Sequence, residues 1–579
     1  MQRQTRTSSI ALLVALTGCV ANDPAMEATP SPAAVPVKAN VWAAGSTEKI
    51  ERHRRAALPH DSVYDPSTRT VRLTAVRGEH APFHLVVTTH GLPFPNVRVQ
   101  MSPLSCDGHP LPAENCELFY EHLLDVYAPT GAHGRAGYWP DPLVPLTRPF
   151  TVPGTGRHDV PRNQPVWVDL FVPRDQRPGL YLGEVQVTCE GVSLGSVHVE
   201  LTVVDVTLPE ARNFPGHVGY YENHIARMHG LEPDSEAFRR VFKSYLELLF
   251  DYRLDPRTGP GMRGRVDGDR YVLEWPRPDL EKLFLDRDRL RIYVSPVPQG
   301  VERQSGHAPF TDAYLKLVRA HVEQVMAHAR ARGWLHKLGF WTPVDEPNTA
   351  EEYAAVRRWG DAIRAVDPDV PVAITEQPFT ENPAWGSLVG HVNTWVINGN
   401  YLFEGEEQIN ARQQAGDRTI WYVSCDQLYP QPNYYIDREA ADLRMVPWLT
   451  WRYGMSGFLY WTATYWEEIR DPWRDPITWK WFPCNSPAAG EGSLVYPGHL
   501  VERYTGQANV DGAVASLRLA MLREGLEELE LIRLLAERDP VAADRIVRTI
   551  CRHVRDFSRN PNVIDDARAA VIRALLNQR

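Results

Sequence analysis

The sequence predicts a multidomain protein of mixed α and β structure, with an N-terminal β-sandwich followed by a TIM-like (β/α)8 barrel. Three observations support this fold class. The chain of 579 residues is long enough for two or three domains. Residues 41–210 consist of short alternating runs broken by Gly, Pro and Asn, with almost no helical periodicity. Residues 211–579 alternate short apolar runs with amphipathic helical segments, a pattern typical of parallel strands joined by right-handed crossovers.

The composition is that of a soluble globular protein, with 43% hydrophobic and 23% charged residues. The net charge of −10 is spread thinly and no basic cluster is present, which argues against nucleic acid as a partner. No CxxC pair or Cys/His grouping indicates a metal site, and no cofactor is expected. The 17 Trp and 23 Tyr residues suit either large cores or the flat faces of sugars.

Residues 1–19 predict a secretory signal, because Arg3 and Arg6 precede the short apolar run Ile10–Leu16 and small residues precede Cys19. The LTGC sequence resembles the bacterial lipoprotein signal, which implies that Cys19 is lipidated. An ordinary cleaved signal is the alternative. The Ala- and Pro-rich residues 20–40 predict an unstructured tether. We therefore expect an exported lipoprotein, periplasmic or at the cell surface, that contacts the membrane only through its lipid.

Within the predicted sandwich, runs such as TVRLTAV, FHLVVTT and GEVQVTCE have the alternation of half-buried strands. ELFYEHLLDVY at 117–127 is ambiguous between strand and helix. YWPDPLVPL at 138–146 predicts an aromatic, proline-rich loop that packs against the next domain. Cys106 and Cys116 are close enough in sequence to form a disulfide in an oxidising compartment.

The second domain offers eight strand-like segments, most of them followed by a helical segment, which favours a closed barrel of about 320 residues. A doubly wound open sheet is the alternative, but no GxGxxG motif follows a strand. The eight segments are HVGYYE (217–222), a weak strand near Leu254, RIYVSP (291–296), LGFWTPV (338–344), VPVAITEQ (371–377), VNTWVINGN (392–400), TIWYVSCDQ (419–427) and GFLYWTATYW (457–466).

The fourth segment is the most informative, because the buried run Leu338–Val344 leads directly into Asp345 and Glu346. Pro347 cannot donate to a strand ladder, so it ends the strand there, and a helical segment follows. Two consecutive carboxylates thus lie at the carboxyl end of a strand, where the active sites of barrels are found. The alternative is that Asp345 caps the next helix and Glu346 is a solvated loop residue.

Other strand ends should open onto the same face of the barrel. Acids, an amide and aromatic rings, without Lys or His as a base, are the groups that a sugar-cleaving pocket needs. The candidates that we expect to bind substrate beside Asp345 and Glu346 are Glu222, Glu376, Trp395, Asn398, Asp426, Trp461, Tyr465 and Trp466.

Several segments resemble glycoside hydrolase family 123: PVDEP, CDQLYPQPNYYIDREAADLR, GFLYWTATYW with DPW at 471–473, and LREGLEELELI. They span most of 213–540 in the order of the family. The resemblance implies an exo-acting β-N-acetylgalactosaminidase with a barrel catalytic domain and a β-sandwich before it. It also implies that an adjacent Asp-Glu pair acts with the 2-acetamido group of the substrate as nucleophile. Asp345 and Glu346 are the matching positions.

In that chemistry Glu346 is the general acid and then the base, and Asp345 orients the acetamido group and stabilises the oxazolinium ion. Tyr465 and Asn398 are candidate donors to the acetamido carbonyl, and Trp461 or Trp466 could stack on the sugar. Two alternatives stay open. One is a retaining glycosidase with Glu376 or Asp426 as nucleophile. The other is a surface lipoprotein that binds carbohydrate without cleaving it.

Overall fold

The computed structural model describes residues 40–54, 61–157, 159–210, 212–257, 262–268, 270–275, 277–285, 292–295, 301–481 and 486–577. The predicted signal peptide, Cys19 and the tether up to residue 39 lie outside these ranges. None of the helices in the described ranges is long and apolar enough to cross a membrane.

The N-terminal region is built from two β-sheets that share one apolar core, to which Val86 and Val166 contribute from one sheet and Val97 and Val185 from the other. The first sheet is antiparallel, with the strand order Asn40–Gly45, Phe83–His90, Pro161–Leu170, Cys116–Val126, Gly137–Pro145. The second has the order Phe150–Val152, Phe94–Met101, Gly179–Cys189, Val192–Thr207, Thr70–Arg77, Tyr64–Asp65, with the short strands Ser105–Cys106 and His109–Pro110 beside it. The β-rich N-terminal region predicted from the sequence is therefore confirmed.

The structure settles one ambiguous segment of this region and corrects the prediction for another. ELFYEHLLDVY forms most of the strand Cys116–Val126, which settles the ambiguity. YWPDPLVPL is not a loop but lies in the strand Gly137–Pro145. This strand is the last of its sheet, and prolines are tolerated in an edge strand. Its Trp139 and Val144 pack with Tyr496 of the C-terminal region, as the sequence predicted.

The expected disulfide between Cys106 and Cys116 is not formed, and both residues are free thiols. The physical reason is topological. Cys106 lies on a short strand of the second sheet, whereas Cys116 begins a strand of the first sheet, so the two residues belong to opposite layers.

The C-terminal region contains eight parallel strands, which we number β1 to β8 in chain order. They are β1 (Gly216–Val218), β2 (Asp255–Pro256), β3 (Ile292–Val294), β4 (Leu338–Trp341), β5 (Val372–Ile374), β6 (Thr394–Asn398), β7 (Arg418–Val423) and β8 (Phe458–Tyr460). Each strand from β3 to β7 pairs with the strand that follows it in the chain. β8 also pairs with β1, and β1 pairs with β2. The first and last strands are thus neighbours, as in a barrel, and the sheet is strongly curled.

The closed barrel predicted from the sequence is not shown, because the described residues contain no pairing between β2 and β3. β2 is only two residues long, and the segments 258–261 and 286–291 between these strands lie outside the described ranges. What is confirmed is a curled parallel sheet of eight strands at the eight positions that the sequence pattern indicated.

Twelve α-helices lie in the described residues, and most of the longer ones match the predicted helical segments. They are α1 (Glu222–His229), α2 (Glu236–Asp251), α3 (Pro278–Leu285), α4 (Val301–Ser305), α5 (Asp312–Ala331), α6 (Ala350–Arg364), α7 (Glu406–Gln414), α8 (Ala441–Arg452), α9 (Val501–Thr505), α10 (Leu517–Ala536), α11 (Pro540–Ile550) and α12 (Pro561–Asn577). Short antiparallel pairs complete the region: Arg263–Asp267 with Arg270–Glu274, Ile477–Trp481 with Ser486–Ala489, Val495–Pro497 with Ala513–Ala515, and Cys551–His553 with Asp556–Phe557.

Helix α10 joins the two regions through buried ion pairs. Arg518, which is fully buried, contacts both carboxylate oxygens of Asp141, at 2.9 and 2.8 Å. One turn and a half later, Arg523 donates to Asp169 at 2.5 Å. Both acids belong to the first N-terminal sheet, so these ion pairs fix that sheet against α10. Helix α10 in turn packs on α8, which lies against the parallel sheet. The chain from residue 39 onwards forms one compact unit.

Candidate active site

The site begins where β4 ends. The strand covers Leu338–Trp341, three residues less than predicted, and the chain then runs through a loop to α6. Glu346 adopts a left-handed backbone conformation with φ of 46°, which is uncommon for a residue with a side chain. The cap of α6 is Thr349, whose hydroxyl accepts from the backbone N–H of Glu352 at 3.2 Å. Asp345 is therefore not the helix cap, so this part of the alternative is wrong; Glu346 does lie exposed in the loop.

Glu346 faces a cavity of about 190 Å³ at the carboxyl ends of β4 to β7. Its Oε1 accepts a hydrogen bond from the hydroxyl of Tyr422 on β7. The amide of Asn348 donates to the Glu346 carbonyl at 2.5 Å and so holds the turn. The cavity is lined by Glu346, Pro347, Asn348, Thr375, Glu376, Gln377, Glu381, Trp385, Asn398, Tyr401, Tyr422 and Asp426.

The pKa of Glu346 is raised above its ordinary value, chiefly because the surrounding protein removes water from the charged form. The nearby negative charges of Asp345 and Asp426 raise the pKa further, whereas the hydrogen bond from Tyr422 opposes the rise. A carboxyl group with a raised pKa keeps its proton closer to neutral pH, which is what a general acid requires.

Asp345 is exposed and is held by a different set of groups. The hydroxyl of Thr375, just beyond β5, donates to its Oδ1. The guanidinium of Arg257, just beyond β2, lies over the ring of Trp341 at 5.2 Å. Burial lowers the pKa of Arg257, and the negative charge of Asp345 partly opposes this effect. Asp345 does not itself line the cavity that Glu346 faces, although Thr375 does. The charge of Asp345 raises the pKa of Glu346, so the two consecutive carboxylates are close enough to interact.

Three other candidates line the same cavity. Asp426 accepts from the amides of Asn398 at 3.0 Å and Asn400 at 2.8 Å, and from the hydroxyl of Ser424 at 2.5 Å. Glu376 accepts from the hydroxyl of Tyr353 at 2.9 Å, and its burial raises its pKa to about 8. These acids are thus bound by neutral hydroxyl and amide donors.

Trp461 and Tyr465 lie beyond β8, with ring centroids 5.0 Å apart, and do not line the cavity. Together with Tyr221 and Trp479 they form what we call the aromatic cluster, in which each ring is within 6.4 Å of Trp461. The charge of Asp345 raises the pKa of Tyr221, after the larger effect of burial, so the cluster adjoins the carboxylate pair.

Two further residues expected from the sequence, Trp466 and Trp395, lie away from the cavity. The indole of Trp466 is fully buried and donates to Ser493 at 2.9 Å. Trp395 is also buried and donates to Asp417 at 2.7 Å. Its neighbour Val396 packs with the residues inside the curled sheet, so strand alternation turns Trp395 to the helical side. Neither ring has surface left for a sugar.

Glu222 starts α1 and pairs with Arg277 at 2.8 Å, and it does not line the cavity. The sequence prediction placed it on a strand end because HVGYYE was taken as one strand, whereas β1 stops at Val218. Three residues therefore separate Glu222 from the strand end that would have aimed it at substrate.

Several lining residues were missed from the sequence. Tyr422 lies inside β7, not at its end, and reaches Glu346 because it points into the curled sheet with Val396 and Leu459. Thr375 is the neighbour of Glu376 at the end of β5, and extending the strand-end search to hydroxyl side chains would have found it.

The comparisons with known proteins agree with this arrangement. The sequence matches the family description "Glycoside hydrolase 123, catalytic domain" over residues 283–535. It matches "Glycoside hydrolase 123 N-terminal domain" over residues 51–189, so the two matches together span more than half of the chain. No curated protein sequence matches the chain.

Among solved structures, the chain is similar to a family 123 glycoside hydrolase from Clostridium perfringens, with a TM-score of 0.69 and 14% identity, over 93% of this chain and 98% of that one. At that identity the likeness shows the fold. Bacteroides ovatus GH5 xyloglucanase gives a TM-score of only 0.29 at 13% identity, over 80% of this chain and 99% of that one. With both of its domain matches in one family, the chain belongs to glycoside hydrolase family 123 and is a glycoside hydrolase.

Proposed function

We propose that this protein is a retaining exo-β-N-acetylgalactosaminidase, of the β-N-acetylhexosaminidase type, that uses the 2-acetamido group of its substrate as the nucleophile. The observation that carries the proposal is the pair Asp345 and Glu346, which occupy one surface at the end of β4 but are held by different partners. In this proposal Glu346 transfers the proton and Asp345 acts on the acetamido group.

Glu346 suits the acid/base role because its raised pKa favours the protonated form before the reaction. It protonates the glycosidic oxygen as the acetamido oxygen attacks C1, and it then accepts a proton from the water that opens the oxazoline. Tyr422 donates to the carboxylate that is left after the first transfer, so it stabilises Glu346 in its basic form.

Asp345 orients the acetamido N–H and stabilises the positive charge that develops on the oxazolinium ion. Thr375 donates a hydrogen bond that fixes one of its oxygens, and the guanidinium of Arg257 lies nearby. Intramolecular attack of this kind has an effective molarity of order 10⁵ M or more when the geometry is good. The enzyme then needs no carboxylate nucleophile of its own.

The environments of the other cavity acids argue against a two-carboxylate mechanism. A nucleophile must be ionised, but the pKa of Glu376 is raised to about 8 by burial, so it is mostly protonated at neutral pH. The two carboxylate oxygens of Asp426 already accept three hydrogen bonds from Asn398, Asn400 and Ser424. Neither group is poised to attack an anomeric carbon.

The substrate class follows from the same site. A cavity of about 190 Å³ is about the size of one sugar unit, which fits exo action on a terminal residue. The structural relative from Clostridium perfringens is described in terms of glycolipid glycan hydrolysis. We propose a glycan or glycoconjugate that ends in β-N-acetylgalactosamine as the substrate of this chain.

A panel of aryl β-glycosides with and without a 2-acetamido group tests the proposal. Wild type should hydrolyse the N-acetylgalactosaminide and leave the matching β-galactoside essentially untouched, and Glu346→Gln should hydrolyse the acetamido substrate far more slowly. Comparable rates on both sugars would favour a nucleophile in the protein. Binding of the glycoside without turnover by wild type would favour the carbohydrate-binding alternative.

We also propose that the protein is exported and anchored through Cys19. The support is the LTGC sequence after a short apolar run. Expression with labelled palmitate should label wild type and not Cys19→Ala, which should be released from the membrane fraction. Label on both proteins, or on neither, contradicts the anchor.

A further inference from the structure

Glu491 is a buried acid that no step of the proposed hydrolysis uses. It follows the strand Ser486–Ala489, is only 1% exposed, and forms no ion pair with any residue in the described ranges. Its Oε1 accepts a hydrogen bond from the indole N–H of Trp461 at 2.6 Å. The direct partner of this buried carboxyl group is therefore a ring of the aromatic cluster beyond β8.

A neighbouring indole shows that a tryptophan N–H does not need a carboxyl group as its partner. Trp466 is fully buried, and the hydroxyl of Ser493, two residues after Glu491, accepts from its indole at 2.9 Å. Trp461 is only half-buried, yet its partner is an acid, which is the more costly group to bury. A carboxylate accepts a shorter and stronger hydrogen bond than a hydroxyl does, so it fixes the ring more firmly.

The backbone beside Glu491 fixes the same ring from a second direction. Gly492 has a φ of 67°, and a Cβ atom there would lie 2.5 Å from Cζ2 of Trp461, so only glycine lets the ring come this close. The carbonyl of Gly492 accepts from the backbone N–H of Tyr465 at 2.7 Å. The hydroxyl of Thr478 donates to the carbonyl of Glu491 at 2.6 Å and holds the turn. Trp461 is thus held both by its N–H and by the edge of its ring.

The ring that Glu491 holds adjoins the acids of the candidate active site. Burial raises the pKa of Glu491 to about 7, and the charge of Asp426, which lines the catalytic cavity, adds to this rise. On the other side of the cluster, Tyr221 lies 6.4 Å from Trp461, and the charge of Asp345 reaches it. Tyr221 is 39% exposed and Trp461 is half-buried, so the cluster reaches the surface beside Asp345. Flat apolar rings at such a place suit the face of a sugar.

We propose that Glu491 is a positioning residue for the substrate, whose hydrogen bond fixes the indole of Trp461 in the orientation in which the ring packs against the terminal sugar, on the side of its 2-acetamido group. Glu491 does not touch the sugar itself. The inference rests on the proposed function, since Asp345 marks where the acetamido group lies. A ring that is already fixed does not have to be ordered when the sugar binds, and this preorganisation strengthens binding.

Steady-state kinetics of the full-length protein on an aryl N-acetylgalactosaminide test the proposal. Glu491→Leu removes the acceptor, so KM should rise roughly tenfold while kcat changes little, because a fixed ring binds the ground state and the transition state alike. Glu491→Gln keeps an acceptor and should raise KM much less. An unchanged KM in Glu491→Leu overturns the proposal, and so does an equal rise in both variants.

The matched control is Glu524→Leu, which removes another buried acid. Glu524 lies on α10 at the junction with the N-terminal region, where it accepts from the hydroxyl of Ser46 at 2.8 Å. Its loss should lower the thermal midpoint but leave KM unchanged. Equal increases in KM in Glu491→Leu and Glu524→Leu would mean that the loss of any buried acid disturbs the site, and they too would overturn the proposal.

Trp461→Phe tests the same hydrogen bond from its other partner. Phenylalanine keeps an aromatic ring but has no N–H, so KM should rise here as well, and Glu491→Leu should add little to it in the double variant. Because Trp461 is half-buried, Trp461→Phe gives an answer even where Glu491→Leu does not fold. An unchanged KM in Trp461→Phe, or effects of the two substitutions that simply add, contradicts the positioning role.

Titration calorimetry with N-acetylgalactosamine makes the same comparison without turnover, and its dissociation constant should rise by a similar factor in Glu491→Leu. The two proposals fail in different ways. Equal rates of wild type on the aryl N-acetylgalactosaminide and on the aryl β-galactoside contradict participation of the acetamido group. Equal KM values and equal dissociation constants for wild type and Glu491→Leu contradict only the positioning role of Glu491.

Discussion

The buried acids of this protein are treated in two opposite ways in two parts of the molecule. At the junction with α10, Asp141 and Asp169 are each paired with an arginine, Arg518 and Arg523. In the catalytic cavity, Glu346 and Glu376 are instead bound by the neutral hydroxyls of Tyr422 and Tyr353. Glu346 is exposed as a residue, but the surrounding protein removes water from its carboxylate as it does for Glu376 and Asp169, so the partner decides the outcome.

The consequence is a difference in proton affinity. Burial opposes the ionisation of Asp169, but the charges of Arg523 and His80 outweigh it and hold the pKa of Asp169 well below its ordinary value. In the cavity no cation compensates the burial of Glu346 or Glu376, and the pKa of each is raised. Asp169 is therefore held as a structural anion, whereas Glu346 and Glu376 can hold a proton.

The largest effect should come from removing the proton donor. Glu346→Gln keeps the shape of the side chain but cannot transfer a proton, so turnover of substrates with poor leaving groups should fall about 10²- to 10⁴-fold. Aryl substrates with good leaving groups need less protonation and should lose much less in their first step. Steady-state rates on a leaving-group series check this, and an equal loss for every leaving group contradicts the acid role.

The matching test at the junction removes the arginine from one of the buried ion pairs. Arg518→Met leaves Asp141 charged and buried, which should lower the free energy of unfolding by about 3–5 kcal/mol. The control is Arg157→Met at the exposed pair with Asp159, where a change of about 1 kcal/mol or less is expected. Chemical denaturation of both variants measures the difference, and similar small losses would show that the junction does not depend on charge.

A smaller effect tests the neutral donor in the cavity. Tyr422→Phe removes a hydrogen bond that favours the charged form of Glu346, so the pKa of Glu346 should rise further. Because a general acid works only while protonated, the alkaline limb of the pH–rate profile should move to higher pH. Tyr434→Phe is the control, since the buried hydroxyl of Tyr434 has no partner among the described residues. An unchanged alkaline limb in Tyr422→Phe would separate Tyr422 from the titration of Glu346.

The smallest effect concerns stability and pH. The pKa of Glu376 is about 8 in the folded protein, against an ordinary value of 4.5, so the folded state keeps a proton that the unfolded state releases. The contribution of Glu376 to stability is therefore fully present below about pH 4.5 and is lost as the pH rises to about 8. Glu376→Gln should have a thermal midpoint that falls less over this window than that of wild type. Parallel curves for the two proteins would mean that Glu376 ionises normally.

The contrast also explains which features could be predicted from the sequence. Strand periodicity located all eight parallel strands, but the strand before Asp345 ends at Trp341, three residues earlier than Pro347 led us to expect. The prediction was wrong for Gly137–Pro145, because prolines exclude a central strand but not a strand at the edge of a sheet.

The partners of the acids were beyond the reach of the sequence. Tyr422 is 76 residues from Glu346, and Arg518 is 377 residues from Asp141. No local pattern distinguishes a tyrosine that binds a catalytic carboxyl from one that fills the core. The same holds for Trp395 and Trp466, whose burial depends on how the strands and loops pack rather than on their place in the chain.

Inhibition by a thiazoline analogue of the oxazoline, in the galacto configuration, tests the catalytic account most directly. Wild type should bind the thiazoline competitively and much more tightly than it binds N-acetylgalactosamine. The Asp345→Asn variant should lose most of this preference for the thiazoline. No inhibition of a wild-type enzyme that actively hydrolyses the aryl N-acetylgalactosaminide would contradict participation of the acetamido group.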